Sequence, residues 1–302
     1  MVGKHASNKA LVKENLAGYL FIGPSLIIFL LFVMVPMFAS VFLSFTDWNF
    51  LSGLEGIKLI GLKNFSLMLK DERFRYAISN TFIYAIGTVP ISLSVAMVLA
   101  YALNSKIYGK KVLRLIFFIP YISSQVALAA VFKFIFRDNG LLNEFLVKTL
   151  QIMQTAPDWL NNDSLNKIPI IMLAIWTGIG YELIVYMAAL QAVPSDLYEA
   201  ADIEGTNSIQ KFRYITFPMI TPTTFYLVIV RFIAVFKIFA SINIMTLGTS
   251  YDSNTSMVME IYRNSFVHYA FGYASAESLI LLALILLITG INFLGQKKWV
   301  HY

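Results

Sequence analysis

The sequence predicts an all-α integral membrane protein with six transmembrane helices. Composition is the first ground. Of 302 residues, 58% are hydrophobic and only 13% charged, whereas a soluble domain is near half apolar and about a quarter charged. Mean hydropathy is +0.70. The second ground is grouping: the apolar residues gather into six runs, each near the roughly 20 residues needed to cross a bilayer. These two facts exclude a soluble enzyme, a disordered chain and a nucleic-acid module. The net charge of +6 is spread over the loops, where anionic lipid headgroups are the expected partner and nucleic acid is not. The chain has no cysteine, which removes disulfides, thiolate metal sites and cysteine nucleophiles together.

The runs lie at about 16–45, 82–103, 115–136, 168–190, 222–245 and 274–294, after a short tail over 1–15. The first follows Lys4, Lys9 and Lys13, as the core of a signal peptide would. It is about twice that length and no small-residue cleavage site closes it, so it reads as a retained span. Pro24 and Pro36 should bend or interrupt it. Orientation follows Lys and Arg density. With the N-terminus inside, the inner segments carry 11 basic residues in 66, against 9 in 95 for the outer ones. The cluster Lys106, Lys110, Lys111 and Arg114 between two spans decides the sense, so both termini are expected in the cytoplasm.

The segment 191–221 should therefore be cytoplasmic, and it has helical grammar. Pro194 and Ser195 open a helix, with Ser195 as the expected N-cap. Asp196 and Glu199 fall where the helix dipole favours anions. Leu197, Ala200, Ala201 and Glu204 share one side, and Gly205 breaks the helix. Asn207 can cap a second short helix carrying Ile209, Phe212 and Ile215, which Pro218 and Pro222 should end. Small residues at 200 and 201 beside an exposed acid form a docking element. An amphipathic helix on lipid is the competing reading. Such a helix favours Lys, Arg and Trp, whereas 195–205 holds Asp196, Glu199, Asp202 and Glu204 and no base. That balance points to a protein partner.

The stretch Leu190-Gln-Ala-Val-Pro194-Ser-Asp-Leu-Tyr198-Glu-Ala-Ala201-Asp-Ile-Glu-Gly205, followed by Phe212, Ile215, Thr216, Pro218 and Pro222, resembles the EAA motif of ABC-importer permeases. Its wording is nearest the carbohydrate-uptake branch, of maltose and glycerol-phosphate type. The resemblance runs through nearly the whole chain: Tyr19–Pro24, Ser44–Trp48, Gly61–Phe65, Asn80-Thr81, Phe118–Pro120, Gly140–Asn143, Ile261-Tyr262 and Gly272–Ala276 match in order. The family often has Thr-x-Gly-Gly-Pro after the fifth span, where this chain has Thr246-Leu-Gly248-Thr-Ser. The resemblance implies a type I ABC-importer permease fold. It also implies a heterodimer with a second homologous permease, two ATPase subunits on the cytoplasmic face, and an extracellular solute-binding protein. On this reading Tyr198, Glu199, Ala200, Ala201, Asp202, Gly205 and Pro218 form the ATPase-coupling loop. The chain itself is not an enzyme and binds no cofactor; ATP and magnesium belong to the partner. The absence of a Gly-x-x-x-x-Gly-Lys-Ser/Thr loop agrees with that division.

Spans four and five hold the unusual polar content: Trp176, Thr177, Tyr181, Glu182 and Tyr186, then Arg231, Lys237, Ser241, Asn243 and Thr246. Charges in a membrane core are costly and face protein or water, while aromatic faces and hydroxyls suit sugars. Trp176, Tyr181, Glu182, Tyr186, Ser241 and Asn243 are accordingly candidates for a solute path, with helix–helix adhesion as the plainer role for each. Glu182 is expected to pair with Lys237 or Arg231. His5, His268 and His301 lack metal-binding spacing. Asp71, Glu72, Arg73 and Arg75 form a charged outer patch. The expected function is a permease for a carbohydrate in a bacterial or archaeal cytoplasmic membrane. Glycerol phosphate or a polyol is the alternative within the family, and an ion-coupled secondary transporter the alternative outside it.

Overall fold

A computed structural model describes residues 8–104, 108–246 and 251–300. The N-terminal tail to residue 7, Lys106, His5, His301 and the departure at 247–250 lie outside the described residues. Within them the architecture is helical, with one isolated bridge pairing Thr46 and Leu59. Four helices are long and apolar enough to cross a membrane, and two sharply bent helix pairs qualify when each pair is taken as one span. The chain divides into two compact units, residues 1–66 with 264–279 and residues 67–263 with 280–302.

In the first unit the chain runs helically from Asn8 to Phe29, through a π-turn at Leu30–Met34, and on over Val35–Leu43. Pro24 is accommodated inside the first helix, and Pro36 sits in the first turn after the π-turn. Proline lacks an N–H, so the carbonyl four residues earlier loses its partner; widening one turn is a low-cost way to re-register the ladder. The expected interruption is thus a local rewinding. The residues beyond this helix are pinned by Asn64, whose amide donates to the carbonyls of Ser44 (2.8 Å) and Thr46 (2.9 Å). The Gly272 amide donates to the Trp48 carbonyl at 3.0 Å, and the Trp48 ring packs on Phe271 at 5.5 Å. Buried Glu277 accepts from the Asn264 amide at 3.0 Å through both oxygens. Motifs about 200 positions apart in the chain therefore build one cluster.

The second unit is organised on the 33-residue helix Glu72–Asn104, which packs chiefly against Lys167–Gln191. Its buried face includes a stripe of small residues, Ala77, Thr81, Ala85, Thr88, Ser92, Ala96 and Ala100, beside larger ones such as Phe74, Tyr84 and Leu93. Small residues at helical spacing let two helices approach closely, which is how membrane helices gain packing without a hydrophobic drive. Thr221–Phe236 lies against both, and Lys110–Ile122 lies against Lys167–Gln191. At that last contact a Cβ on Gly180 would collide with the Phe117 carbonyl oxygen.

Two expected continuous spans are broken. The run at 115–136 divides into Lys110–Ile122 and Gln125–Phe136, with a bend of 98° between the first helix and the segment 125–149. Pro120 removes a backbone donor, Ser123 and Ser124 are extended, and the Ser124 side chain accepts from Ala127 N to start a new helix. The run at 222–245 divides into Thr221–Phe236 and Ala240–Met245. Lys237 caps the first piece, and Phe239, with φ −139° and ψ −60°, breaks the ladder. Pro222 stands in the first turn of Thr221–Phe236, and Pro218 in that of Phe217–Met219. These prolines start helices where termination was expected, because a missing N–H costs nothing in a first turn. After the bent span, Asn143 knits the chain, donating to Asp138 O (3.1 Å) and Pro157 O (3.0 Å) and accepting from Trp159 Nε1 (2.8 Å).

Candidate functional site

The 195–219 segment is shaped by its ends. Ser195–Ile203 is a helix whose N-cap is Pro194, so Ser195 is the first helical residue and its hydroxyl turns to Asp196. The expected Ser195 cap is displaced by one position. Gly205 stands at φ +72°, a conformation that a Cβ penalises. Its amide donates to Asp202 O, and the Thr206 amide donates to Ala201 O, each at 3.1 Å. Those two bonds form a Schellman motif that closes the helix. Asn207 and Gln210 then make a reciprocal capping box for Ser208–Lys211.

The two short helices are tied together. Lys211 pairs with Asp202, and the Tyr198 and Thr216 hydroxyls lie 2.9 Å apart. Below them the Phe212 ring meets Tyr101 edge-on at 5.1 Å. Glu199, Ala200, Asp202 and Gly205 are exposed, Tyr198 and Pro218 are half-buried, and Ala201 is buried. Ala201 is thus covered by the chain itself, and of the two alanines only Ala200 is open. Ile203 and Ile209, 89% and 78% exposed, stand beside the acids.

In the Lys167–Gln191 helix, Glu182 is almost fully buried. It accepts from Ser92 Oγ at 2.5 Å and meets Arg231 Nε at 3.0 Å. The Arg231 guanidinium also donates to the Ala174 carbonyl, and Gly178 leaves it room, since a Cβ there would strike it. The partner of Glu182 is thus Arg231; Lys237 stays apart. The third member, Ser92, hides among the small residues of Glu72–Asn104, and only the pairing of helices reveals it.

Arg231 lines two cavities. One, of about 360 Å³, is also walled by Gln125, Thr177, Lys237 and Ser241. The other, of about 190 Å³, is walled by Tyr121, Tyr181, Glu182 and Val230. Tyr181 stacks on Tyr121 with centroids 5.2 Å apart, and its hydroxyl lies 2.9 Å from that of Tyr226. Trp176, 41% exposed, stacks on Phe132. Tyr186 is fully buried, and Asn243 is half-buried and lines neither cavity. The arrangement brings together Tyr181, Glu182 and Ser241 with the unanticipated Tyr121, Tyr226 and Gln125, while Trp176, Tyr186 and Asn243 line neither cavity. Among the described residues, no group of three His, Asp or Glu is placed to hold a metal ion.

Comparison with known proteins gives the family. Residues 69–299 match the family described as binding-protein-dependent transport system inner membrane component. The chain is 34% identical to the probable ABC transporter permease protein YesP of Bacillus subtilis (strain 168), over 98% of this chain and 95% of that one. It is 30% identical to the arabinooligosaccharides transport system permease protein AraP of the same organism, over 92% and 88%. Its fold is similar to a chain of the crystal structure of a bacterial ABC transporter involved in import of the acidic polysaccharide alginate. There the TM-score is 0.82 and the identity 24%, over 95% of this chain and 97% of that one. Helices that cross a membrane, a capped acidic hairpin between two of them and a match over most of the chain agree: this protein belongs to the binding-protein-dependent ABC-importer permeases, the inner-membrane transport subunits of those systems.

Proposed function

We propose that the chain forms one half of the solute path of a carbohydrate importer and takes its driving force through the Ser195–Gly205 element. The observation that carries this reading is the hairpin itself: an acidic helix with exposed Glu199 and Asp202, closed by a positive-φ glycine and braced by Lys211 and Thr216. A rigid, exposed, net-acidic element between membrane helices is suited to a cleft on a protein partner. Acids beside an anionic leaflet would be repelled. The partner is an ATPase in two copies, which holds the ATP and magnesium; this chain holds no cofactor. A second, homologous permease completes the path, and an extracellular binding protein delivers the solute. Both termini are cytoplasmic.

The carbohydrate assignment is supported by the Tyr121–Tyr181 stack and the hydroxyls at the cavities and by the oligosaccharide named for the AraP relative. Glycerol phosphate or a polyol remains the alternative within the family. The test is to purify the tagged chain with its native neighbours in mild detergent and assay ATP hydrolysis. Co-purification of a second permease and an ATPase, with hydrolysis stimulated by the solute-loaded binding protein, is the expected result. A chain that purifies alone and supports uptake driven by an ion gradient would overturn the reading.

A further inference from the structure

We propose that the larger cavity receives an anionic group of the transported solute, a carboxylate or phosphate, with Lys237 as the residue that selects it. This rests on the importer reading above. Arg231 is the eleventh residue of Thr221–Phe236, about 15 Å along the helix and so near the middle of a roughly 30 Å apolar layer. Lys237 follows the end of that helix, where the ladder breaks. Both line the larger cavity, with Gln125, Thr177 and Ser241 supplying amide and hydroxyl groups.

The charge count there is unequal. Residues 110–136, 167–191 and 221–246 contain a single carboxylate, Glu182, and Arg231 already pairs with it. Glu182 lines the smaller cavity and is absent from the walls of the larger one. Lys237 meets no carboxylate and makes no hydrogen bond among the described residues, so its charge is uncompensated. Lys133, which donates to Ile244 O at 3.1 Å on the helix that follows, adds to the same sign. Lys237 is itself exposed and stands about 24 Å along the same helix, so its ammonium forms an open part of the cavity wall that an entering solute can reach. An anion entering the cavity supplies the missing partner, and the neighbouring hydroxyl and amide groups suit the rest of a polyhydroxylated solute.

The test uses the complete importer, with both permeases, ATPases and binding protein, in proteoliposomes. Solute-stimulated ATP hydrolysis and uptake are measured with maltotriose, trigalacturonate and glycerol 3-phosphate, for wild type, Lys237→Gln and Lys237→Arg. The expected result is stimulation by one of the two anionic solutes, which also tells carboxylate from phosphate. Lys237→Gln should lower uptake of that solute about tenfold, the loss of one charge-assisted hydrogen bond, and Lys237→Arg should restore most of it. Stimulation by maltotriose alone, stimulation by none of the three, or anion uptake unaffected by Lys237→Gln would each overturn the anion site. Co-purification of the ATPase, scored separately, decides the importer reading on its own.

Discussion

The hairpin at 195–219 and the pair at Glu182 and Arg231 are two charged regions of the larger unit that are held in opposite ways. Apart from Tyr101, which donates to the Ser208 carbonyl from 107 positions away, the caps and ties that shape the hairpin join residues at most 18 positions apart. Asp202 is taken up by Lys211, but Glu199 and Glu204 are exposed and left for a partner. The intramembrane pair joins residues from helices far apart in sequence, with Ser92 and Glu182 separated by 90 positions. Its charges are consumed inside the protein. A local structure can present charge to a partner without endangering the fold. A buried pair contributes to the fold and leaves little for anything else, which is why the uncompensated Lys237 stands out beside it.

That contrast can be broken by mutation, and the stability cost should fall from the pair to the hairpin. Glu182→Gln is expected to be the most damaging, at about 3 kcal/mol, because it leaves a buried guanidinium without its counter-charge. Thermal unfolding in detergent should show a lowered Tm, and Glu182→Gln with Arg231→Gln should recover part of the loss. A single variant as stable as wild type, with full uptake, would mean the pair is dispensable. Gly180→Val comes next. Its side chain meets the Phe117 carbonyl and Phe118 Cα, and overpacking of that kind costs about 2 kcal/mol. A parallel drop in Tm is the check.

Gly205→Val should cost about 1 kcal/mol from the positive φ it imposes on a β-branched residue. Its larger consequence is functional: the chain remains inserted, while ATP hydrolysis no longer responds to the loaded binding protein. Normal stimulation in this variant would separate the Schellman turn from coupling. Glu199→Lys should leave Tm unchanged, since the side chain is exposed and the structure gives it no ion pair, and yet uncouple uptake from hydrolysis. If it transports as wild type does, the acidic surface is not the contact and the comparison between presented and consumed charge fails at its first member.

Much of the hairpin was readable in the chain because caps are short-range. Asn207 with Gln210, Gly205 after Glu204, and four acids without a base all act within one or two turns. What the sequence missed there was direction. Ser195 is one residue inside the helix, and Ala201 is buried, because a nine-residue helix has no periodicity long enough to fix which face is covered. The prolines show the same division. Pro36 and Pro218 mark disturbed turns, as any proline must, but each follows a π-turn, Leu30–Met34 and Phe212–Thr216, a response set by how the surrounding helix closes its ladder. Pro120 coincides with the sharper of two bends, 98°, because Ser123 and Ser124 adopt extended backbone and recap the chain; the other, 65°, falls at Ile220 between Pro218 and Pro222.

By itself the sequence determined that this chain is helical, spans a membrane and carries an acidic helix–turn–helix between two of its spans. Hydropathy, helical hydrogen bonds and caps are properties of neighbouring residues. Tertiary structure alone decided that Glu182 takes Arg231 and Ser92 and leaves Lys237 facing a cavity. It also decided that Tyr121 stacks on Tyr181, and that Asn64 and Gly272 both secure the backbone of 44–48. Those outcomes depend on the rotation and approach of whole helices, set by the small residues at 77–100 and by Gly178 and Gly180, and no local rule encodes the angle at which two helices meet.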